Sequence, residues 1–352
     1  MEESKLPLEG IKVIDVTQWG AAPMCAELLS MWGADVIHVE RPGRGDGNRW
    51  IQAGGGSLVQ QHPVNYMWDL TSMNKRSLTL DLNKVQAQDV VKMLVSKSDV
   101  FLSNLRPYEL KKYNLEYDTL SKPNPKLIYA SLTGYGRNGP DKDSPGWDAT
   151  AFWARSGMMH MLHQPGSPPC SSRPGQGDLP SGLFCACGIF LALLIRERTG
   201  IGQEVDVSLY HTGAWQILLD IQGALLTGKD TEPKSRETVL NPLSNYYQTS
   251  DNRWINIINP TPDLYWAPFC KAIEREDLIN SDLYNSTEAR TNNAVSLINI
   301  INQAMIAKTC KEWQQILNRL GIVYSVIQKP SEVASDPQAR ANDFFTVFNH
   351  PT

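Results

Sequence analysis

Over the first 135 positions, short β-branched apolar runs alternate with stretches whose apolar residues recur at helical spacing. "GIKVIDVT" (10–17) reads as a buried strand, "APMCAELLSMWGA" (22–34) as an amphipathic helix stopped by Gly33, and "DVIHVE" (35–40) as the next strand, which makes a βαβ unit. "SLTLDL" (77–82), a helix to about Ser96, "DVFLSNL" (99–105) and "KLIYASLTGYG" (126–136) repeat the alternation. The pattern predicts an α/β fold: a doubly wound, mostly parallel, Rossmann-like sheet with ligands beyond the carboxyl ends of its strands. Near Gly228 the character changes to a polar linker followed by short strands and helices, so we expect a large α/β domain over 1–228 and a smaller α+β domain over 229–330. Residues 331–352 are expected to return toward the large domain.

Charge narrows the set of partners. A net charge of -4 across 352 residues disfavours nucleic acid or an anionic membrane, both of which need a basic surface. The N-terminal "MEESKLPLEG" lacks a signal-peptide core, and the apolar run Leu183 to Ile195 is too short to span a bilayer, so a cytoplasmic protein is expected. Six scattered cysteines read as reduced, and on a helix the Cys185 and Cys187 thiols point to opposite faces. No CxxC or HExxH spacing occurs, so no metal site is expected. After the first strand "TQWGAAP" replaces the glycines of a dinucleotide fingerprint, which disfavours nicotinamide and flavin cofactors.

Three places carry candidate chemistry. In "GQGDLPSG", Asp178 stands where a long apolar helix begins. It reads either as an N-cap or as an exposed nucleophile held ionised by the helix terminus, with Gly177 letting a substrate approach the backbone. Arg41 and Arg44 follow the second strand, and Asn104, Arg106, Lys111 and Lys112 follow "DVFLS"; they should gather at one sheet edge, as solvated charge or as an anion site. Lys75 and Arg76 precede their strand and fall at the far end of an all-parallel sheet unless that strand runs antiparallel or the loop folds back. The Gly- and Pro-rich loop "GYGRNGPDKDSPGWD" is longer than a connector and leads to Trp147 and Asp148 at the start of a helix. His38, His160, His163 and His211 have no spacing that suggests a triad and read as structural.

Taken in order, "LEGIKVIDVT", "LSMWGADVIHVERPGRGD", "NKRSLTLDL", "GYGRNGPDKDSPGWD", "GQGDLPSG", "RERTGIGQEVDVSL" and "SDPQARANDFF" resemble the class III coenzyme A transferases of the CaiB/BaiF type, over nearly the whole chain. The loop and "TAFWARSG" are most similar to members acting on aryl-lactates and 2-hydroxyisocaproate. The resemblance implies an interlocked homodimer, with CoA as co-substrate held by the doubly wound domain rather than as a tightly bound cofactor. It also implies an acyl-CoA and a free carboxylic acid as partners, with Asp178 as nucleophile through aspartyl anhydride and aspartyl-CoA intermediates. By position it assigns CoA contacts to Gln18, Trp19, Ala21, Arg41, Lys75, Asn104, Arg106 and Lys112, and sets Trp147 and Asp148 where a relative has an active-site Tyr-Glu pair. Phe152 and Trp153, with Trp19 and Trp147, read either as core residues or as the lining for a hydrophobic acid. "NPTPDLYW" stands where that relative has a glycine-rich loop, and relatives continue beyond "FNHPT". Two rival readings remain. The racemase branch needs a His where this chain has Trp147, and an indole cannot accept a proton. A noncatalytic subunit of a heteromeric transferase would keep CoA binding without the chemistry.

Overall fold

Successive side chains of a strand point to opposite faces of its sheet, and here both faces are covered. In the computed structural model, which describes residues 6–50, 64–347 and 349, the first sheet comprises β1 (Lys12–Val16), β2 (Asp35–Glu40), β3 (Arg76–Thr79), β4 (Val100–Ser103), β5 (Ile128–Thr133) and β6 (Glu204–Ser208). They lie in the order β3-β2-β1-β4-β5-β6, and every neighbouring pair is parallel. The helices of this unit are α1 (Ala21–Met31), α2 (Tyr66–Ser72), α3 (Val85–Val95), α4 (Pro107–Lys112), α5 (Tyr117–Ser121), α6 (Met158–Met161), α7 (Asp178–Thr199), α8 (Leu209–Gln216) and α9 (Leu218–Thr227). Val13, Val100, Leu102, Ile128 and Ala130 enter a core with Cys25 and Leu29 of α1 and Cys185 and Ile189 of α7. Their neighbours Ile14, Val16, Phe101 and Tyr129 enter the opposite core with Val91 and Val95 of α3, Leu110 of α4 and Leu120 of α5.

The chain divides into Met1–His163 with Ser167–Glu232, and Gln164–Gly166 with Pro233–Thr352. In the second unit β7 (Ser244–Gln248), β8 (Trp254–Ile258) and β9 (Tyr324–Val326) form an antiparallel sheet. It packs with α10 (Pro262–Ala272), α11 (Thr287–Asn292), α12 (Ala294–Met305) and α13 (Cys310–Arg319) around Trp266, Phe269, Leu297 and Trp313. The segment expected to return to the first domain is tied within this unit, where Arg253 pairs with Glu332 at 2.5 Å and Asp336 caps the short helix Pro337–Ala341. Phe348, His350 and the last two residues of that segment lie outside the described residues.

Most strands are shorter than the stretches that predict them, β5 running over Ile128–Thr133 only, and two elements differ in a way that matters here. β3 ends at Thr79 rather than at position 82, because Asp81 turns the chain by accepting the Asn83 amide at 3.1 Å. The helix carrying Asp178 has 22 residues, and an 18-residue stretch of it has a mean hydropathy of 2.0, so it is long and apolar enough to cross a membrane by length and composition. Its Cys185, Ala186, Ile189, Ala192 and Leu193 are nonetheless in the sheet core, which makes it a core helix. The helix also turns Cys185 inward and Cys187 outward. At Gly182 a Cβ would come within 2.6 Å of the Ala21 carbonyl oxygen, so α1 and α7 approach backbone to backbone near their N-termini. Both begin at the carboxyl edge of the sheet, where strand order reverses between β1 and β4, the place where doubly wound folds bind ligands.

Candidate active site

Asp178 opens α7 and lines a cavity of about 210 Å³. The cavity takes Gln18, Trp19, Gly20 and Ala21 from the loop after β1, Asn104 and Arg106 after β4, and Leu132 to Gly134 at the end of β5. Trp147, Asp148 and Lys142 of the glycine-rich loop complete it. Asp178 does not cap its helix, contrary to the simpler of the two sequence readings. Two first-turn amides are already taken, Leu179 donating to the Gly175 carbonyl at 3.0 Å and Ser181 to the Gly177 carbonyl at 3.2 Å.

The companion expectation, an Asp178 carboxylate held ionised by the helix terminus, meets two opposing effects. Burial first, and then the charge of Asp148, push its carboxyl up to about 7. Asp148 is itself raised by burial, against the lowering effect of the Gly175 and Gly177 amides. Its Oδ1 accepts the Gly177 amide at 3.1 Å. A side chain at Gly20 would overlap the Asp178 carboxyl, so the chain passes directly against the acid with nothing but backbone between them. The arrangement presents a weakly solvated carboxylate, basic for its type, with no hydrogen bond to it among the described residues, at the wall of a cavity. That combination suits nucleophilic attack on an acyl carbon.

The loop after β1 is held by side chains. Asn104 accepts the Gln18 amide at 3.1 Å and donates to the Gln18 carbonyl at 2.7 Å. Trp19 has φ 73°, a left-handed conformation costing a bulky residue about 1–3 kcal/mol. Its amide donates to both carboxylate oxygens of Asp46, at 3.2 and 3.1 Å, and its carbonyl accepts from Asn48 Nδ2 at 2.7 Å. Behind Asp46 lies His38, with Nε2 at 3.7 Å from Asp46 Oδ2 and Nδ1 donating to Asp15 at 2.8 Å. Burial would lower this imidazole, but the Asp15 charge and the contacts with both carboxylates outweigh it and push the group up to about 9. Edge-to-face against the Trp19 indole, at 5.1 Å between centroids, stands Trp147.

A second cavity of about 490 Å³ adjoins, sharing Gln18 and Glu109 with the first. Arg41 and Lys112 line it, Lys112 also reaching Asn83 at 2.8 Å, so two of the expected basic residues meet here. Arg106 faces the first cavity with its charge engaged by Glu109 at 3.0 Å. Lys75 lines neither cavity. Because β3 is parallel, Lys75 precedes its N-terminal end; the side chain folds back, buried, to Asp15 at 3.0 Å and the Pro23 carbonyl at 2.8 Å. Phe152 and Trp153 are core residues, so of the four aromatic candidates only Trp19 and Trp147 face the acid. Asp46, Asn48 and Lys142 were not singled out from the sequence. "GDGN", small polar turn residues in the loop after the second strand, is the signal that could have marked Asp46 and Asn48 as backbone partners.

The profile of CoA-transferase family III matches residues 8–352. The (R)-2-hydroxy-4-methylpentanoate CoA-transferase of Clostridioides difficile is 34% identical over 340 residues, spanning 96% of this chain and 84% of that protein. The cinnamoyl-CoA:phenyllactate CoA-transferase of Clostridium sporogenes is 34% identical over 354 residues, spanning 100% of this chain and 85% of that one. Among solved structures, a CaiB/BaiF family protein from Brucella suis superposes with a TM-score of 0.84 at 26% identity, covering 96% of this chain and 88% of that one.

Proposed function

This chain belongs to CoA-transferase family III, and from that premise we propose that it moves CoA from an acyl-CoA thioester to a free carboxylic acid with Asp178 as the nucleophile. The observation that carries the reading is the Asp178 carboxyl itself, desolvated, uncapped and lining a cavity. A carboxylate oxygen of Asp178 attacks the thioester carbonyl; the C–S bond breaks, giving a mixed anhydride and CoA thiolate. The thiolate then attacks the aspartyl carbonyl, releasing the donor acid and leaving an aspartyl-CoA thioester. The acceptor carboxylate attacks that thioester, expels the thiolate and forms the second anhydride; the thiolate takes the new acyl group and Asp178 is regenerated. Excluding water while either anhydride exists preserves the thioester energy.

CoA is a co-substrate in this scheme. Arg41 and Lys112 in the larger cavity suit its phosphates, and Gln18, Trp19 and Ala21 stand along the passage to Asp178. Lys75 and Asn104 contribute at one remove, Lys75 by neutralising Asp15 and Asn104 by holding Gln18. Asp148 tunes Asp178 through its charge, and Trp147 with Trp19 forms an apolar wall suited to an aryl or branched acid. The two relatives named for 2-hydroxy and aryl-lactate acids support that substrate class. A homodimer, interlocked as the family resemblance implies, completes the proposal.

The test is Asp178→Ala, assayed with cinnamoyl-CoA and phenyllactate and with 2-hydroxy-4-methylpentanoate as alternative acceptor. Wild-type protein incubated with acyl-CoA should carry CoA on Asp178, visible by intact mass and removable with hydroxylamine; the variant should lose both the adduct and turnover while remaining folded. Transfer persisting in the variant would refute the assignment of the nucleophile, and wild-type protein forming neither adduct nor product would favour a noncatalytic role for this chain.

A further inference from the structure

Every backbone polar group of Gln18 and Trp19 is bound by a side chain from another loop, Asn104 on one side and Asp46 with Asn48 on the other. Such complete capture of two irregular residues is unusual, since loop amides commonly turn to water. It also falls where the backbone is least comfortable, at the left-handed Trp19. The next residue, Gly20, lies against the Asp178 carboxyl, and the Trp19 ring packs so closely on Gly47 that a Cβ there would come within 2.6 Å of it.

We infer that Asp46 and Asn48 are positioning residues for transfer: their grip on Trp19 holds the strap 18–20 in its strained turn, seating the Gly20 backbone against Asp178 and keeping the indole as a wall of the acyl cavity. Freed of the grip, Trp19 relaxes toward negative φ, and the peptide either swings its ring into the cavity or lifts Gly20 off the acid. Asp46 is buried, as such a clamp requires, and its charge is balanced by His38 on one side. Glu40 accepts the Asp46 amide at 2.9 Å and is itself satisfied by Arg49 and Ser77. Asn48 is buried too, and divides its amide between the Trp19 carbonyl and Thr71 Oγ1 at 3.2 Å. Neither clamp residue touches the reacting atoms; each acts through the strap.

The inference rests on Asp178 being the nucleophile, and the experiment separates the two. Asp46→Ala, Asn48→Ala, Asp46→Asn and Gly47→Ala are compared with wild type and Asp178→Ala, using cinnamoyl-CoA and phenyllactate, with kcat, KM for the thioester and the ratio of hydrolysis to transfer all measured. Asp46→Ala and Asn48→Ala should lower kcat about tenfold or more, leave KM within about threefold, and raise the hydrolysis ratio, as displacement near reacting atoms by roughly an ångström does. Asp46→Asn keeps an acceptor for the Trp19 amide and should recover most of kcat. Gly47→Ala leaves the clamp atoms in place but drives a methyl into the Trp19 ring, and should reproduce the kcat loss even if the alanine variants fail to fold. Normal kcat in the folded variants, or losses confined to KM, overturns the inference. If Asp178→Ala is inactive while the clamp variants are normal, only the clamp falls; if Asp178→Ala still transfers, the reading of the site falls first.

Discussion

At Asp178, burial and the charge of Asp148 place the carboxyl at about 7, so near neutral pH it is divided between acid and carboxylate. With Asp178 as the proposed nucleophile only its carboxylate attacks, so kcat/KM for the acyl-CoA should rise from acid pH through about 7 to a plateau. Asp148→Asn removes the repelling charge and should move that rise to lower pH, while burial keeps it above the ordinary carboxyl range. A profile flat from pH 6 to 8 (about one unit either side of the expected midpoint) tells against Asp178 as the titrating group. Stability carries the opposite sign. Because the folded pKa lies above the unfolded one, the folded state binds the extra proton, and this contribution to stability is lost as pH rises from the unfolded value through about 7. Asp178→Asn should therefore raise the unfolding midpoint at pH 8, by about 2–4 °C per kcal/mol of relieved strain, and change it little at pH 4; differential scanning calorimetry checks both arms. Asp178 was legible because a carboxylate at the head of an apolar helix is conspicuous and its flanking motif is shared with a family. Asp46 and Asn48 were not, because their role depends on the left-handed turn at Trp19, a conformation that nothing in "TQWGA" announces. Lys75 was legible as a candidate but not its buried partner Asp15, which lies sixty positions away in the chain.

Between elements, the contact that sets the site is the crossing of α1 and α7. Gly182 sits one turn into α7, and a methyl there would meet the Ala21 carbonyl at 2.6 Å, Met24 Cβ at 3.0 Å and the Cys25 amide at 3.1 Å. Gly182→Ala has no flexible side-chain tip to displace at the closest contact, so it must push the helices apart, at about 1–3 kcal/mol. Since Asp178 and the strap before α1 ride on those two N-termini, turnover should fall along with the urea midpoint. An Ala variant with wild-type activity and stability shows that the crossing is slack. The strands flanking this crossing were readable because β1, β2, β4 and β5 are largely buried on both faces, rich in β-branched residues and bounded by turn residues. β3 was harder, being an edge strand with little burial whose apolar alternation runs on into the Asp81 turn. The helix after Trp147 was anticipated, but not its wider bonding, in which the Arg155 amide reaches the Thr150 carbonyl at 3.0 Å, five residues back. Such a bulge leaves no periodic trace in a sequence.

For the molecule as a whole, hydrophobic periodicity distinguishes inward from outward faces but cannot tell a core from an interface between chains. α8 and α9 illustrate the ambiguity. Trp215, Leu218, Leu219, Leu225 and Leu226 are all exposed on them, Leu219 at 88% and Leu226 at 77%, far more apolar surface than scattered single residues explain. A second copy of the chain covering these helices fits the proposed homodimer, and interlocking makes a demand that ordinary docking does not. Two threaded chains separate only by unfolding, so the two-chain mass should persist on dilution, and differently tagged dimers mixed under native conditions should not exchange subunits. Exchange should appear only after passage through denaturant and refolding. Light scattering followed by native mass spectrometry of the mixed sample decides the matter: a single-chain mass removes the dimer altogether, whereas a two-chain mass with rapid exchange keeps the dimer but removes the threading. Leu219→Asp, placed at the most exposed apolar position, should leave a threaded pair intact in mass, because topology holds it, and should split a merely docked one.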